Sequence, residues 1–433
     1  MTGNANRTPW RQCRPTEFHA SDQFETTRPP LTRKPRLLVL ASTYPRWRDD
    51  HEPGFVHELA KRQVDRFDVT VLTSSAPGTA KHEHNDGVEV IRYRYAPRPL
   101  ETLVYGGGIS THLRRTRWKW ALVPSFVAAQ YAAARRLIRQ RRFDVVHAHW
   151  LIPQGLVAQS LSGRGNNRPV PFVVTSHGGD LFGFGGGLMN TIKRQVAASA
   201  TAMTVVSTAM RDEAARLGMR SERMVVLPMG VDLNERFTPD PLAVRSTDEL
   251  LFVGRLVPKK GLCYLLDALP AVIAQHPTTY LSVAGFGPEE TSLRAQAQAL
   301  AIEEHVRFVG AVPQASLPEL YRRAAGLVAP YVRDPTGDQE GLPVVLMEAI
   351  ACDCPAVVGD VAGIDDLLGP EASDLRVQPT DRAALAAAVS ALLADPEAAR
   401  QRALSLREKL VDKIDWDCVA KAYGDVLAAA IGA

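Results

Sequence analysis

Asp338-Gln339-Glu340-Gly341-Leu342-Pro343-Val344-Val345-Leu346-Met347-Glu348-Ala349 reads as a loop that turns into a helix. Gly341 lets the loop bend tightly, and Pro343 suits a helix's first turn. Glu340 then lies in the loop before the helix, and Glu348 falls one turn after Val344 on the same face. A helix start offers unpaired N–H groups and the positive end of a dipole, which together favour a diphosphate. A carboxylate deeper on that face can accept two hydroxyl protons from a ribose, and a second in the loop can hold a sugar. Two solvated glutamates beside an ordinary helix is the competing reading of this stretch taken alone.

Outward from it, short β-rich apolar runs alternate with helical patterns. Upstream they are Leu37–Leu40, Val69–Leu72, Val88–Ile91, Val145–His147, Phe172–Thr175 and Met203–Val206. The pattern loosens through Arg236-Phe237-Thr238-Pro239-Asp240-Pro241 and restarts at Leu250–Val253, Tyr280–Ala284, Val306–Val309, Leu327–Ala329 and Ala356–Val358. This is βαβ grammar on parallel sheets, so the fold class is α/β with two doubly wound, Rossmann-like domains. The expected boundaries are a loose tail over 1–34, domains over 35–238 and 239–412, and a helix over 413–433. Trp416, Val419, Ala420, Tyr423, Val426, Leu427, Ala430 and Ile431 fall on one face of that last helix, which therefore needs a partner surface.

Other candidates stand at strand ends. After Leu251-Phe252-Val253 come Gly254, Arg255 and Lys260-Gly261, and two cations at the carboxyl end of a strand suit a pyrophosphate leaving group. Gly285-Phe286-Gly287-Pro288 marks a turn after another strand. Thr175-Ser176-His177-Gly178-Gly179-Asp180 leaves room for a ligand beside His177. Gly54, before an apparent helix, can bring its backbone close to phosphate oxygens. No Gly-x-Gly-x-x-Gly follows the first strand, and no Walker loop or zinc pattern occurs, which counts against a dinucleotide enzyme or a metalloenzyme.

At 433 residues, 45% of them hydrophobic and 23% charged, the chain has material for two cores. Its net charge of +4 is unevenly spread: residues 1–235 hold 33 Lys and Arg against 20 Asp and Glu, and residues 236–433 hold 18 against 27. The basic half implies an anionic partner. Between Thr102 and Phe143 no acidic residue occurs, and Arg114, Arg115, Arg117, Trp118, Lys119 and Trp120 mix cations with aromatics as an interfacial segment does. That stretch is expected to dock on an anionic membrane surface; a solvated helix face is the alternative. No helix-turn-helix, zinc or RNA-recognition motif supports nucleic acid as the partner. The five scattered cysteines suit a reducing cytoplasm, and no run of about 18 apolar residues is available to span a bilayer.

Taken together, these blocks resemble the retaining glycosyltransferases of family 4, which have the GT-B fold. The resemblance rests on Glu340 and Glu348 eight positions apart, Gly254-Arg255 to Lys260-Gly261, Gly285 to Pro288, Pro228 to Asp232 and His177 to Asp180. It implies two domains facing a cleft, with the C-terminal helix crossing back to the first. Arg255 and Lys260 would neutralise the diphosphate of a nucleotide-sugar donor. Glu348 would hold the ribose and Glu340 the donor sugar, while the backbone from Gly341 through Leu342, Pro343 and Val344 to Val345 completes the cradle. His177 would touch the sugar, Gly54 and Gly254 would flank the diphosphate, and Val312 would lie near the base. No metal or other cofactor is implied, and the acceptor would be a glycan or a lipid-linked intermediate. Tyr331 after Pro330, Asp353-Cys354 before Pro355, and Ala362-Gly363-Ile364-Asp365-Asp366 depart from the family's usual residues. A non-hydrolysing nucleotide-sugar epimerase and a binding scaffold without turnover share the architecture.

Overall fold

The computed structural model describes residues 33–432 apart from 48–49, 51, 53, 163–168, 184, 221–222 and 370–374. The tail expected over 1–34 lies outside the described residues except for its last two.

Two sheets organise the chain. The first contains β1 (Arg36–Leu40), β2 (Asp68–Ser74), β3 (His82–Asn85), β4 (Val88–Tyr93), β5 (Val145–His149), β6 (Phe172–Ser176), β7 (Ala202–Val205) and β8 (Met224–Val226), in the order β3-β4-β2-β1-β5-β6-β7-β8. Among the described residues only β3 of this sheet runs antiparallel to its neighbour. The second contains β9 (Glu249–Val253), β10 (Tyr280–Ala284), β11 (Val306–Gly310), β12 (Gly326–Ala329), β13 (Ala356–Gly359) and β14 (Arg376–Val377), all parallel, in the order β11-β10-β9-β12-β13-β14. The central strands β1, β5, β6, β9 and β12 are buried almost throughout, as a sheet covered by helices on both faces requires.

Strand order reverses between β1 and β5 in the first sheet and between β9 and β12 in the second. Doubly wound sheets open a crevice at the carboxyl ends of the strands at such a reversal. Here the two crevices meet in one cleft of about 1870 Å³.

The final helix, Trp416–Gly432, packs on the first domain. Gln63 Nε2 donates to Ala420 O at 2.7 Å, Arg66 pairs with Asp425 at 2.8 Å, and the Tyr423 hydroxyl donates to Leu227 O at 3.0 Å. A Cβ on Gly230 would come within 2.5 Å of the Trp416 ring, so only glycine admits that indole. The preceding helix, Pro396–Ile414, stays on the second domain, where Arg407 donates to Ala351 O at 3.2 Å. Cys263, Cys352 and Cys354 are free thiols while Cys418 is disulfide-bonded, so cysteine usage does not assign a compartment.

Candidate active site

The second domain contributes a charged wall. After β9, Gly254 takes φ +152° and the Lys260 stem packs 3.4 Å from where its Cβ would stand. Gly285, after β10, has φ +156° and abuts the Gly254 carbonyl so closely that a Cβ would lie 1.8 Å from it. These glycines let two strand-end loops nest, and the short turn Pro258–Lys260 then delivers both lysines to one carboxylate. Lys259 Nζ lies 3.3 Å and Lys260 Nζ 3.4 Å from the Glu340 carboxylate, whose side chain is 14% exposed. Burial alone would push the Glu340 carboxyl up, but Lys259, Lys260 and Arg255 outweigh it and hold it down at about 2. Glu340 is therefore ionised throughout the physiological range. Lys259 also reaches Asp338 at 3.3 Å. Lys259 adjoins Lys260 but has no signature of its own in residue order, because only the turn brings both ammonium groups to the same side. Arg255 spans the cleft and donates to the Gly107 carbonyl of the first domain.

Glu348, on the helix Val344–Ala351, is buried beneath this cluster. Its two oxygens accept from Gln314 Nε2 at 2.8 Å and from the Tyr321 hydroxyl at 2.9 Å. Burial dominates and raises its carboxyl to about 7 despite these bonds. Val312 lies two residues before Gln314 in the loop after β11, and both line the cleft. Gln314 and Tyr321 carry no sequence signature, since a lone polar residue in a loop and a tyrosine on a helix are both commonplace.

Pro343 is the N-cap of the helix, extended at φ −79° and ψ 102°, one position earlier than the first-turn placement expected from sequence. Leu342, Val344 and Val345 line the cleft together with Glu348. Gly341 instead faces the first domain: a Cβ there would come 2.7 Å from Met210 Sδ and 3.1 Å from the His177 carbonyl. Gly178 of the first domain has φ +104° and Gly363 of the second has φ +98°; side chains on them would strike the Gly341 backbone at 3.0 and 2.3 Å, and one on Gly363 would also come 3.3 Å from Ser207 Oγ of the first domain. Three glycines thus close the two domains against each other beside the site.

Around His177 the first domain contributes a patch of neutral and aromatic rings. His177 follows β6 and His149 ends β5; His149 Nδ1 and His177 Nε2 lie 3.0 Å apart with rings nearly coplanar at 8°. Burial, with His147 adding to it, lowers His177 to about 3, and burial also takes His149 well below its ordinary value. Both rings are neutral, so one nitrogen of the shared bond donates and the other accepts. Phe55 and Trp150 pack on His177 with ring centroids 4.8 and 5.1 Å away. The buried Asp180 carboxylate fixes the loop by accepting from Ser176 Oγ at 2.9 Å, Leu151 N at 2.6 Å and His177 N at 3.2 Å. Gly54 precedes the helix Phe55–Arg62 and lines the cleft, with only Pro45 within 4.0 Å of where a Cβ would project.

The basic stretch 114–120 does not form the continuous outward face expected of it. The buried Lys119 ammonium donates to Thr102 O at 2.8 Å and lies 3.1 Å from His112 Nδ1. Arg114 turns across the cleft to Asp334 at 3.4 Å and Asp338 at 3.8 Å. The physical reason is that the acidic second domain supplies counter-charge at the cleft. Arg115, Arg117, Trp118 and Trp120 remain exposed, and Arg115 and Trp120 line the cleft mouth.

With this geometry in view, the comparisons with known proteins are specific. Residues 55–235 match the model of glycosyltransferase family 4, and residues 236–408 match that of glycosyl transferases group 1. A glycogen synthase of Mycobacterium tuberculosis is 30% identical over 413 residues, covering 91% of this chain and 95% of the relative. A GDP-mannose-dependent alpha-(1-6)-phosphatidylinositol monomannoside mannosyltransferase of Mycolicibacterium smegmatis is 31% identical over 65% of this chain and 75% of the relative. Among solved structures, sucrose-phosphate synthase from Thermosynechococcus elongatus superposes with a TM-score of 0.73 at 21% identity, over 90% of this chain and 97% of that one. Anabaena HepE in complex with UDP-glucose gives 0.68 at 17% identity, over 91% and 99%. Two facing doubly wound domains with a cleft between them define a GT-B glycosyltransferase, of hexosyltransferase type. The chain belongs to glycosyltransferase family 4.

Proposed function

We propose that this enzyme transfers a sugar, with retention of anomeric configuration, from a UDP- or GDP-linked donor to a glycan or lipid-linked acceptor in cell-surface glycan assembly. The observation that carries the reading is the convergence of Lys259 and Lys260 on Glu340, with Arg255 beside them, next to the start of the helix Val344–Ala351. A donor diphosphate seated there meets two or three cations and the helix's N–H groups, which stabilise the charge that develops as the sugar leaves. Glu340, always ionised, accepts hydrogen bonds from donor-sugar hydroxyls, and neutral His177 contacts the same sugar from the opposite wall. The acceptor oxygen attacks on the face from which the diphosphate departs: the C1–O bond to the acceptor forms, the C1–O bond to phosphate breaks, and the leaving phosphate oxygen takes the acceptor's proton. The protein's own cations supply the positive charge the reaction needs, so the reaction requires no metal.

For the acceptor, support comes from relatives named for phosphatidylinositol monomannoside mannosylation and, in Bacillus subtilis, for teichuronic acid biosynthesis, the latter 27% identical over 82% of this chain. Among the described residues no helix is long and apolar enough to cross a membrane. Peripheral attachment at the inner face of the cytoplasmic membrane would use Arg115, Arg117, Trp118 and Trp120. The deciding experiment incubates the purified chain with UDP- and GDP-sugars, measures released nucleotide with and without EDTA, and assigns the product anomer by NMR. Donor turnover that survives EDTA with a retained product supports the reading. Inversion, metal dependence, or free nucleotide sugar epimerised without transfer would overturn it.

A further inference from the structure

The edge hairpin β3–β4 carries chemistry that the cleft does not use. Strand β3 reads His82-Glu83-His84-Asn85, exposed or half-exposed at every position, so packing does not account for its residues. Alternation along a strand points His82 and His84 to one face. The antiparallel register places Glu89 of β4 directly opposite His84, on that same face. One ligand atom from each of the three lies within 4.8 Å of the other two, and the imidazole centroids are 5.2 Å apart.

The carboxylate is already oriented. Glu89 Oε2 accepts from the Thr70 hydroxyl at 2.9 Å and from the Arg141 guanidinium, which leaves Oε1 toward His82 Nε2 at 2.7 Å. Outer hydrogen bonds of this kind hold metal-binding carboxylates in place. Two imidazoles and one carboxylate suit zinc and its first-row neighbours, with water completing four-fold coordination. None of the three residues lines the cleft.

We propose that His82, His84 and Glu89 bind one divalent transition ion of the zinc type, which replaces the proton shared by His82 and Glu89 and staples the edge of the first sheet. The ion is structural and separate from sugar transfer. Arg141 weakens the site by its charge while it orients the ligand, so the titration should run from micromolar to millimolar ion.

The test titrates ZnCl2 into the full chain by calorimetry, alongside the His82→Ala/His84→Ala double variant and Glu89→Gln. One ion per wild-type chain is expected, with that binding lost in the double variant and weakened in Glu89→Gln. Zinc should also raise the wild-type Tm by about 2–4 °C and leave the double variant unmoved. Circular dichroism without zinc checks that the exposed substitutions preserve the fold. Wild-type protein that gives no binding heat, or a double variant with an unchanged isotherm, overturns the proposal; the second result would place zinc elsewhere, for instance on the free thiols. Sugar-transfer rates that fall in the variants would contradict the separation from the cleft.

Discussion

The two walls of the cleft are built alike and work oppositely. Each hangs from the carboxyl ends of parallel strands beside a reversal of strand order. On the second domain, Lys259, Lys260 and Glu340 share a nearly dry site: pairing holds Glu340 down at about 2 and raises Lys259, while burial still pulls Lys260 below its ordinary value although Glu340 lies 3.4 Å away. On the first, His149 and His177 have no acidic partner on the ring among the described residues, and burial holds both rings in the uncharged form. Charge survives desolvation only where it is paired. On the proposed function, the charged wall meets the donor diphosphate and the neutral nitrogen and aromatic faces around His177 meet sugar hydroxyls.

Breaking the charged wall should have the largest effect. Lys260→Ala and Arg255→Ala should each lower kcat by about 10²–10³, the scale for removing one preorganised charge-stabilising group. Lys259→Ala should approach that loss, since its ammonium is as close to Glu340 as that of Lys260. Steady-state kinetics on whichever UDP- or GDP-sugar the wild-type chain turns over measures this, and wild-type turnover in all three variants would remove the diphosphate assignment.

The neutral wall should be softer. His177→Asn should cost about 10–100-fold in kcat/KM, the range for one buried hydrogen bond left unmade. Because His177 titrates at about 3 and not near 6.5, the pH–rate profile between 5 and 8 should show no histidine inflection. An inflection near 6.5 that vanishes in His177→Asn would mean the wall carries charge after all. His149→Phe, which deletes the nitrogen facing His177 Nε2, should reproduce part of the same loss.

Glu348 sharpens the comparison, as a carboxylate in the charged wall's domain that lacks a cation of its own. If ribose hydroxyls bind its ionised form, as proposed for the donor, nucleotide affinity should rise with pH through about 7 and fall by up to about tenfold per unit below it. Binding at pH 6.5 should release protons, seen as binding heats that differ between buffers of different ionisation enthalpy, and Glu348→Gln should abolish that difference. In the ligand-free protein the sign is reversed. A carboxyl held above its ordinary 4.5 contributes stability below that pH and loses it as pH rises through about 7.

The smallest effect should come from where the walls touch. A methyl group at Gly341 meets Met210 Sδ at 2.7 Å, so Gly341→Ala should part the domains by tenths of an ångström at that point. We expect a few-fold weaker donor binding with kcat nearly preserved, and a larger radius of gyration in donor-saturated protein by small-angle scattering. An unchanged scattering curve would show that the domains do not close on the three glycines.

Much of this molecule was legible in order of residues alone. The Val-, Leu- and Ile-rich runs of β1, β2, β5 to β7, β9, β10, β12 and β13 report their own burial, because a strand covered on both faces must be apolar along its length, while β4 and β11 show as shorter apolar runs with partly exposed positions between. Strands β3, β8 and β14 escaped notice for the same reason in reverse: His-Glu-His-Asn is polar, and three or two residues are too short to carry a period. Glu340, Glu348, Arg255, Lys260 and His177 were visible as reactive residue types at strand ends or a helix start, and the structure gathers them around one cleft. What residue order could not show was the partner of each charge. Arg114 and Lys119 look alike in sequence, yet one crosses to Asp334 and the other is buried against a carbonyl. Nothing in residue order marks Lys259, and only the turn at Pro258–Lys260 aims it at Glu340. Periodicity and turn residues act over a few positions, so residue order carries the two doubly wound domains and the chemical types at their strand ends. Desolvation and pairing are set by neighbours far away in the chain, so which groups remain ionised and which face each other across the cleft emerges with the packed fold.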